Sequence, residues 1–214
     1  MRRRRPAGAR RLAGLTVPAS AVVPALVALV ALAALAALGT AAAAGCGGAA
    51  SGVEHYANAD FRFSLDVDRR LTQWRTATAA SGAAFEVSFV APKGAMVGDR
   101  HLDALTISVV DTGTNPTSEQ AAQLAASLRT MGAAMVAKMG GDAQAGTVSE
   151  VSLNGLSGVV VPFGVSISGM RQVGWLYLLA AGGHIYALAA AATADEWDTY
   201  RPLFTSAIDS FRVG

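Results

Sequence analysis

Alternating apolar and polar positions recur along the chain after residue 60. They occur at Phe61–Val67, Phe85–Phe89 and Leu105–Val109. Successive side chains of a strand point to opposite faces, so this alternation predicts three strands, each with one face toward a core. Pro92 follows the second strand and Asp111-Thr112-Gly113 follows the third, and both are typical of strand ends.

The pattern then changes to a helical period. Start signals at Pro116, Thr117 and Ser118 precede an apolar stripe, and Gly140-Gly141 ends it. The stripe steps by four, three, four and four residues through Leu124, Leu128, Met131, Met135 and Met139. A methionine stripe can form an adaptable binding surface, but core packing of a helix against a sheet is the favoured interpretation.

Four further strands follow this helix. They are predicted at Val151–Leu153, Val159–Val161, Trp175–Leu179 and Ile185–Leu188. Asn154-Gly155 and Gly182-Gly183 are hairpin signals, because both residues of such a turn adopt positive φ. The last two strands are apolar on both faces, which predicts helices packed on both faces of the sheet.

A closing helix is predicted from a capping box at Thr193–Glu196. Its apolar face comprises Trp197, Tyr200, Phe204, Ile208 and Phe211. Pro202 lies inside and should kink the helix or divide it in two. The order β-β-β-α-β-β-β-β-α predicts one α+β domain over residues 54–214, an antiparallel sheet with a helix on each face.

A different composition precedes this domain. Six arginines lie in the first eleven residues, residues 21–38 are an uncharged apolar run, and small residues from Thr40 to Gly45 lead to Cys46. Positive, apolar and small segments in this order predict an export signal.

Residues 43–46, Ala-Ala-Gly-Cys, resemble a bacterial lipobox, although Ala43 stands where Leu is usual. The resemblance implies that the Cys46 thiol carries diacylglycerol, with palmitate among its acyl groups, and that cleavage removes residues 1–45 as a lipoprotein signal peptide. Two alternatives stay open. The protein is secreted after cleavage at an Ala-x-Ala within residues 41–44, or the apolar run stays as an uncleaved anchor, since 18 residues are about the minimum for a span.

Residues 46–53 are predicted to join the lipidated cysteine to the domain as a short Gly-rich tether. A flexible tether of about eight residues has a root-mean-square span of about 15 Å. We therefore expect the domain to lie at the extracytoplasmic face of the cell membrane, bound to membrane lipid through Cys46. The expected partner is a membrane-proximal protein, such as a transporter or channel subunit, or a lipid headgroup or other small ligand.

Charge and cysteine count exclude other classes. From Cys46 onward there are eleven Lys or Arg and fifteen Asp or Glu, a formal charge of −4, so a basic nucleic-acid-binding domain is excluded. A single cysteine excludes an intramolecular disulfide and a thiolate metal cluster.

Candidate chemistry centres on three histidines, His55, His101 and His184. His101 lies between Asp99 and Asp103, and two carboxylates beside an imidazole can ligate a metal. Hydrogen bonds and ion pairs of an exposed loop explain this cluster equally well, so no metal site, cofactor or catalytic residue is predicted. The surrounding loop, residues 92–104, is longer than a hairpin needs, which is typical of a mobile connection or of a functional loop.

Motifs for catalysis are missing. Residues 164–169, Gly-Val-Ser-Ile-Ser-Gly, lack the spacing of a nucleophile elbow, and there is no phosphate loop or dinucleotide fingerprint. The protein is therefore predicted not to be an enzyme. A triad assembled from distant residues stays open, because triads are spatial.

Several features together resemble the PsbP-like/DcrB-like families, including actinobacterial lipoproteins of the LpqN type. They are Tyr56 and Phe61-Arg62-Phe63-Ser64 leading to Trp74, the segment Leu153-Asn154-Gly155-Leu156, and a closing stretch from Trp197 to Ser210-Phe211-Arg212. The resemblance implies an α/β/α sandwich without shared catalytic residues, in a family of mostly accessory, binding or assembly factors. Asp68-Arg69-Arg70 stands where the families have a proline before the tryptophan.

The sequence thus predicts a lipid-anchored cell-envelope protein with a non-enzymatic binding or assembly role. One alternative is a carrier of a small apolar or lipid-like ligand, because the many Ala and Gly positions in the later strands leave room beside the sheet. A second alternative is an enzyme whose site follows no motif.

Overall fold

The computed structural model describes residues 52–77, 83–113, 118–139 and 142–214. Within these ranges it describes the backbone alone for residues 75–77 and 118–125. The predicted signal peptide, Cys46 and the tether up to Ser51 lie outside these ranges, so their cleavage and lipidation stay predictions. Within the described ranges, no helix is both long and apolar enough to cross a membrane.

Two helices and thirteen strands occur in this part of the chain. The helices are α1 (Ser118–Ala137) and α2 (Trp197–Ser210). The strands are β1 (Val53–Asn58), β2 (Phe63–Asp68), β3 (Thr72–Ala77), β4 (Phe85–Val90), β5 (Met96–Val97), β6 (Arg100–His101), β7 (Ala104–Asp111), β8 (Gln144–Ala145), β9 (Ser149–Leu153), β10 (Leu156–Ile167), β11 (Met170–Ala181), β12 (His184–Thr193) and β13 (Arg212–Val213). All nine predicted elements are present, in the predicted order along the chain. The strands β1, β3, β5, β6, β8 and β13 are additional, so the predicted order was incomplete.

All strand pairs are antiparallel, and the fold is α+β as predicted. The main sheet has the order β3-β4-β7-β12-β11-β10-β8, and β9 also pairs with β10. Strands β1, β2 and β13 form a separate small sheet, and β5 and β6 form a two-stranded hairpin. The prediction of a single sheet is therefore wrong. The alternating pattern of β2 predicts that one face of the strand is buried. The same pattern is expected for a strand of the main sheet and for a strand of a second sheet packed against it, so it could not distinguish the two.

Two hydrophobic cores lie on opposite faces of the main sheet. On one face, α2 and β2 pack with alternate residues of β12 such as Tyr186 and Leu188. On the other face, α1 packs with the intervening residues, such as Ile185 and Ala187. A helix on each face is therefore confirmed. Among the side chains of α1 that the structure describes, the buried ones are Leu128, Met131, Met135 and Val136, so this part of the methionine stripe packs in a core.

Three tight turns connect the long strands. The φ angles are 52° and 84° at Asn154-Gly155, and 58° and 82° at Gly182-Gly183, as both hairpin predictions require. A third turn of the same kind occurs at Ser168-Gly169, with φ of 51° and 82°. Met170 and Arg171 follow this turn directly as the first residues of β11.

The beginning of α2 also differs from expectation. Thr193 is the last residue of β12 and caps nothing, and Glu196 at the N-cap makes no side-chain capping hydrogen bond. The predicted capping box is therefore wrong, because residues 193–196 form a turn in which the backbone N–H of Glu196 donates to the carbonyl of Thr193 at 3.0 Å. Pro202 lies within α2 without dividing it.

The strands give the domain two distinguishable ends. The β2–β3 connection, the β4–β7 loop and the end of β12 lie at one end, because Thr72 pairs with Val90 and Ala104 pairs with both Val90 and Ala191. Val53, the first residue of β1, pairs with Asp68 at this end. We call it the tether end, since the chain enters the domain here. The opposite end, with Asn154-Gly155 and Gly182-Gly183, is the hairpin end.

Candidate functional site

The loop at residues 92–104, expected to be a mobile connection or a functional loop, contains the β5–β6 hairpin. Gly98 forms its turn with φ of 57°. At the base of the loop, the N–H of Leu102 donates to the carbonyl of Ala95 at 2.9 Å, and the N–H of Ala91 donates to the carbonyl of Asp103 at 2.9 Å. These bonds give the loop a defined shape at the tether end.

Asp103 attaches this loop to the main sheet. Its carboxylate is fully buried and accepts hydrogen bonds from the backbone N–H of Ala95 at 2.6 Å and of Thr193 at 2.7 Å. Beside it, the buried side-chain amide of Gln172 donates to the carbonyl of Leu102. Gly94 fits closely here, because a Cβ at that position would overlap the Asp103 carboxylate. Asp103 is thus a structural acceptor, with each of its two carboxylate oxygens bound to a backbone N–H.

His101 lies under Trp74. The ring centroids are 4.4 Å apart with the planes at 73°, an edge-to-face contact. Both ring nitrogens are shielded from solvent, and neither has a well-formed hydrogen bond to a described residue. Burial lowers the pKa of His101, against the opposing effects of the Ala91 backbone and the Asp103 carboxylate. A neutral imidazole is therefore held beneath an exposed indole.

The two carboxylates of the cluster Asp99-Arg100-His101-Leu102-Asp103 lie apart, one buried and one exposed. In the described ranges no three His, Cys, Asp or Glu side chains are grouped to hold a metal ion. Asp103 points into the domain toward backbone N–H groups, whereas Asp99 is exposed. Burial lowers the pKa of Arg100, whose guanidinium has no ion-pair partner among the described residues.

The other two histidines lie elsewhere. His55 Nδ1 is 2.7 Å from Asp66 Oδ1 on the exposed side of the small sheet. His184 begins β12 at the hairpin end and packs edge-on against Phe61 with ring centroids 5.7 Å apart. The structure therefore does not bring the three histidines together.

Trp74 is exposed because of an irregularity in the edge strand β3. The register between β3 and β4 shifts between Gln73 and Arg75, so Trp74 is the extra residue of a bulge. A bulge redirects a side chain, and Trp74 is 44% exposed although it lies within a strand. In the sequence, Trp74 contributes to the family resemblance, and no pattern there indicates that it is a surface residue.

The tether end has a second exposed segment around Val53. The N–H of Arg69 donates to the carbonyl of Gly52 at 3.0 Å, and the Arg69 side chain lies over Gly52. Arg70 forms an ion pair with Asp68 at 2.8 Å, and the hydrogen bond from Arg70 lowers the pKa of the Asp68 carboxyl. Cys46, the predicted lipidation site, is six residues before Gly52 and outside the described residues.

A small pocket separates these two segments. It holds about 50 Å³ and is lined by Glu54, Tyr56, Val67, Asp68, Arg69, Leu71, Gln73 and Phe89. Pockets for drug-sized ligands hold about 300–1,000 Å³. This pocket therefore gives no support to the carrier alternative.

Comparisons with known proteins agree with the architecture. No protein-family model and no curated protein sequence matches the chain. The solution structure of cyanobacterial PsbP (CyanoP) from Synechocystis sp. PCC 6803 is similar, with a TM-score of 0.54 and 15% identity over 80% of this chain and 98% of that chain. The domain has a PsbP-like fold. LpqN, involved in cell envelope biogenesis of Mycobacterium tuberculosis, is similar with a TM-score of 0.48 and 15% identity over 75% of this chain and 91% of that chain.

At these identities the similarity of the PsbP-like domain concerns the fold and assigns no site residue. The candidate site therefore depends on the chain itself. It is the tether-end surface, which we define as Val53, the Arg69-Arg70 turn, Trp74 and the loop at residues 92–103.

Proposed function

We propose that the protein is a membrane-anchored, non-enzymatic accessory protein of the cell envelope. In this proposal an acylated Cys46 holds the PsbP-like domain at the extracytoplasmic face, where the domain binds a membrane-proximal protein partner. One observation carries the proposal: the exposed large hydrophobic side chains of the described residues lie at the tether end, where the chain enters from Cys46. Six residues span at most about 21 Å, so this end would lie close to the bilayer.

A binding role is supported over catalysis by how the polar groups are used. Asp103, the buried carboxylate of the candidate cluster, is occupied by two backbone N–H groups. His101 is shielded by Trp74 and has a lowered pKa because of burial, so it is a weak base at neutral pH. Neither group is presented to a substrate, and a PsbP-like fold by itself assigns no catalytic residue.

The anchor is tested on the full chain expressed in a bacterial host. Intact-mass analysis is expected to show loss of residues 1–45 and a diacylglyceryl adduct on Cys46. The substitution Cys46→Ser is expected to abolish the adduct and the lipoprotein-type cleavage, because no other thiol is present. Ser51→Ala, in the same tether, serves as the control and should behave as wild type. Full membrane association of Cys46→Ser with unchanged processing would contradict the proposal.

The partner is tested by crosslinking in intact membranes, followed by identification of the neighbouring proteins. A specific membrane protein is expected in the wild type and is expected to be lost when Cys46→Ser releases the domain. Native mass spectrometry of the purified protein covers the carrier alternative. A retained apolar ligand together with no crosslinked protein would favour the carrier over the accessory role.

A further inference from the structure

Three large hydrophobic side chains are exposed in the part of the chain that the structure describes. Val53 is 56% exposed, Trp74 is 44% exposed and Met96 is 43% exposed. Single exposed hydrophobic residues are common on soluble proteins, but a group of them in one place marks an interaction site. All three belong to the tether-end surface.

The backbone places these three residues on neighbouring segments. Val53 pairs with Asp68, and four residues after Asp68 the chain begins β3, which carries Trp74. The Trp74 ring contacts His101, and His101 pairs with Met96 across the β5–β6 hairpin. The β2–β3 connection and the loop at residues 92–103 are thus next to the point where the tether enters.

The tether-end surface is less negatively charged than the whole domain, which reduces its repulsion from an anionic membrane. The Arg70–Asp68 pair is neutral, and beyond it Arg69, Lys93 and Arg100 have no ion-pair partner among the described residues. Two carboxylates, Glu54 and Asp99, are exposed on the same surface. Asp103 of the same loop is a third carboxylate, so the charges of the surface balance, whereas the chain from Cys46 onward has a formal charge of −4.

We propose that the tether-end surface docks on the lipid bilayer itself, with Val53, Trp74 and Met96 seated at the boundary between headgroups and acyl chains. The inference rests on the proposed function, since acylation of Cys46 is what holds the domain at the membrane. Indole is favoured at this boundary because it has an apolar body and a polar N–H. Interfacial segments enter the bilayer by about 5–10 Å, which a tether of at most about 21 Å permits. The hairpin end then faces away from the membrane.

Quenching by brominated lipids tests this orientation. The protein is expressed as the full chain, purified from membranes and reconstituted in phosphatidylglycerol–phosphatidylethanolamine vesicles with or without bromine in the acyl chains. We expect Trp74 emission to shift to shorter wavelength on vesicles and to be quenched by brominated lipid. The substitution Trp74→Phe should remove most of the quenching and leave the emission of Trp175 and Trp197, whose rings pack together 4.9 Å apart.

A matched pair of substitutions on β1 provides the control. Val53→Asp is expected to reduce the quenching of Trp74, because a carboxylate at the headgroup–acyl boundary is unfavourable. Ala57→Asp places the same group on the same strand near the hairpin end, where Ala57 is exposed and pairs with Ser64, and should change nothing. Equal quenching in both variants, or no quenching of Trp74 in the wild type, would overturn the proposal.

Failure of the anchor is distinguished from failure of docking. Intact mass reports whether Cys46 is acylated, and unacylated protein can be coupled through its only thiol to a maleimide lipid in the same vesicles. Quenching after such coupling would support docking even when natural lipidation is refuted. If Trp74 is shielded only in membranes that retain their native proteins, the surface binds a protein and the lipid proposal is wrong.

Discussion

Replacing Asp103 tests whether the loop of the candidate site is held by one buried carboxylate. Asp103→Ala removes the acceptor from the backbone N–H groups of Ala95 and Thr193 and leaves the rest of the loop sequence intact. Thr193 is only 8% exposed, so its N–H cannot simply bind water instead. Ala95 is partly exposed, and its N–H can be partly rehydrated.

The magnitude follows from the two bonds. A hydrogen bond to a charged group contributes about 1.5–3 kcal/mol, and a buried donor left without an acceptor costs about 1–3 kcal/mol. Allowing for rehydration at Ala95, we expect Asp103→Ala to lower the free energy of unfolding by about 2–5 kcal/mol. Asp103→Asn keeps one carbonyl oxygen and removes the charge, so its expected cost is about 1–3 kcal/mol.

Urea denaturation at neutral pH, followed by circular dichroism, measures both values. Asp99→Ala is the control, because Asp99 is an exposed carboxylate in the same loop and should alter stability by no more than about 0.5 kcal/mol. The reasoning is refuted if Asp103→Ala costs no more than Asp99→Ala. A gain in stability for Asp103→Asn would show that the cost of burying the carboxylate exceeds the value of its hydrogen bonds.

Three further predictions concern other positions. Gly158→Ala should cost about 2–3 kcal/mol in urea denaturation, because its Cβ would overlap the backbone carbonyl of Leu178, whereas the exposed neighbour Ser157→Ala should be close to neutral. Asn154→Gly keeps the positive φ but loses two hydrogen bonds to carbonyls at the C-terminal end of α2, so a loss of about 1–2 kcal/mol and a lower melting temperature are expected. Because the pKa of His101 is lowered in the folded state, the unfolded state binds a proton at this imidazole more readily than the folded state does. The free energy of unfolding should therefore have its full value above pH 6.5 and decrease as the pH falls below 6.5. Urea midpoints measured between pH 7.5 and 5 should show a smaller fall in His101→Gln, and an unchanged fall would contradict this cause.

The elements read correctly from the sequence are those with a buried face. Strand β2 buries Phe63, Leu65 and Val67, and its alternation is visible because each of these side chains enters one core. Strand β1 is exposed along most of its length, so its composition carries no such pattern and it was not predicted. Strand β3 lies at the edge of the main sheet and carries a bulge, which breaks the period of two at Trp74.

The candidate site was predictable only in part. The length of the loop at residues 92–104 correctly indicated a segment of the candidate site, and the cluster around His101 indicated the polar residues of that loop. The role of Asp103 was not readable, because one of its donors, Thr193, is 90 residues away in the chain. Likewise, the contact between Trp74 and His101 depends on the pairing of β3 with β4 and on the fold of the β5–β6 hairpin.

The arrangement of the fold explains why an interaction surface would form at the tether end. The central strands β11 and β12 are covered on both faces by α1, α2 and the small sheet, so their surfaces are used in the two cores. At the hairpin end, turns of two residues connect the long strands and leave little surface to vary. The tether end has one such turn, at Ser168-Gly169, and in addition an edge strand with a bulge, a 13-residue loop braced by Asp103 and the entry of the chain. Loops carried on a rigid scaffold are where binding surfaces commonly arise, and here that position coincides with the predicted anchor.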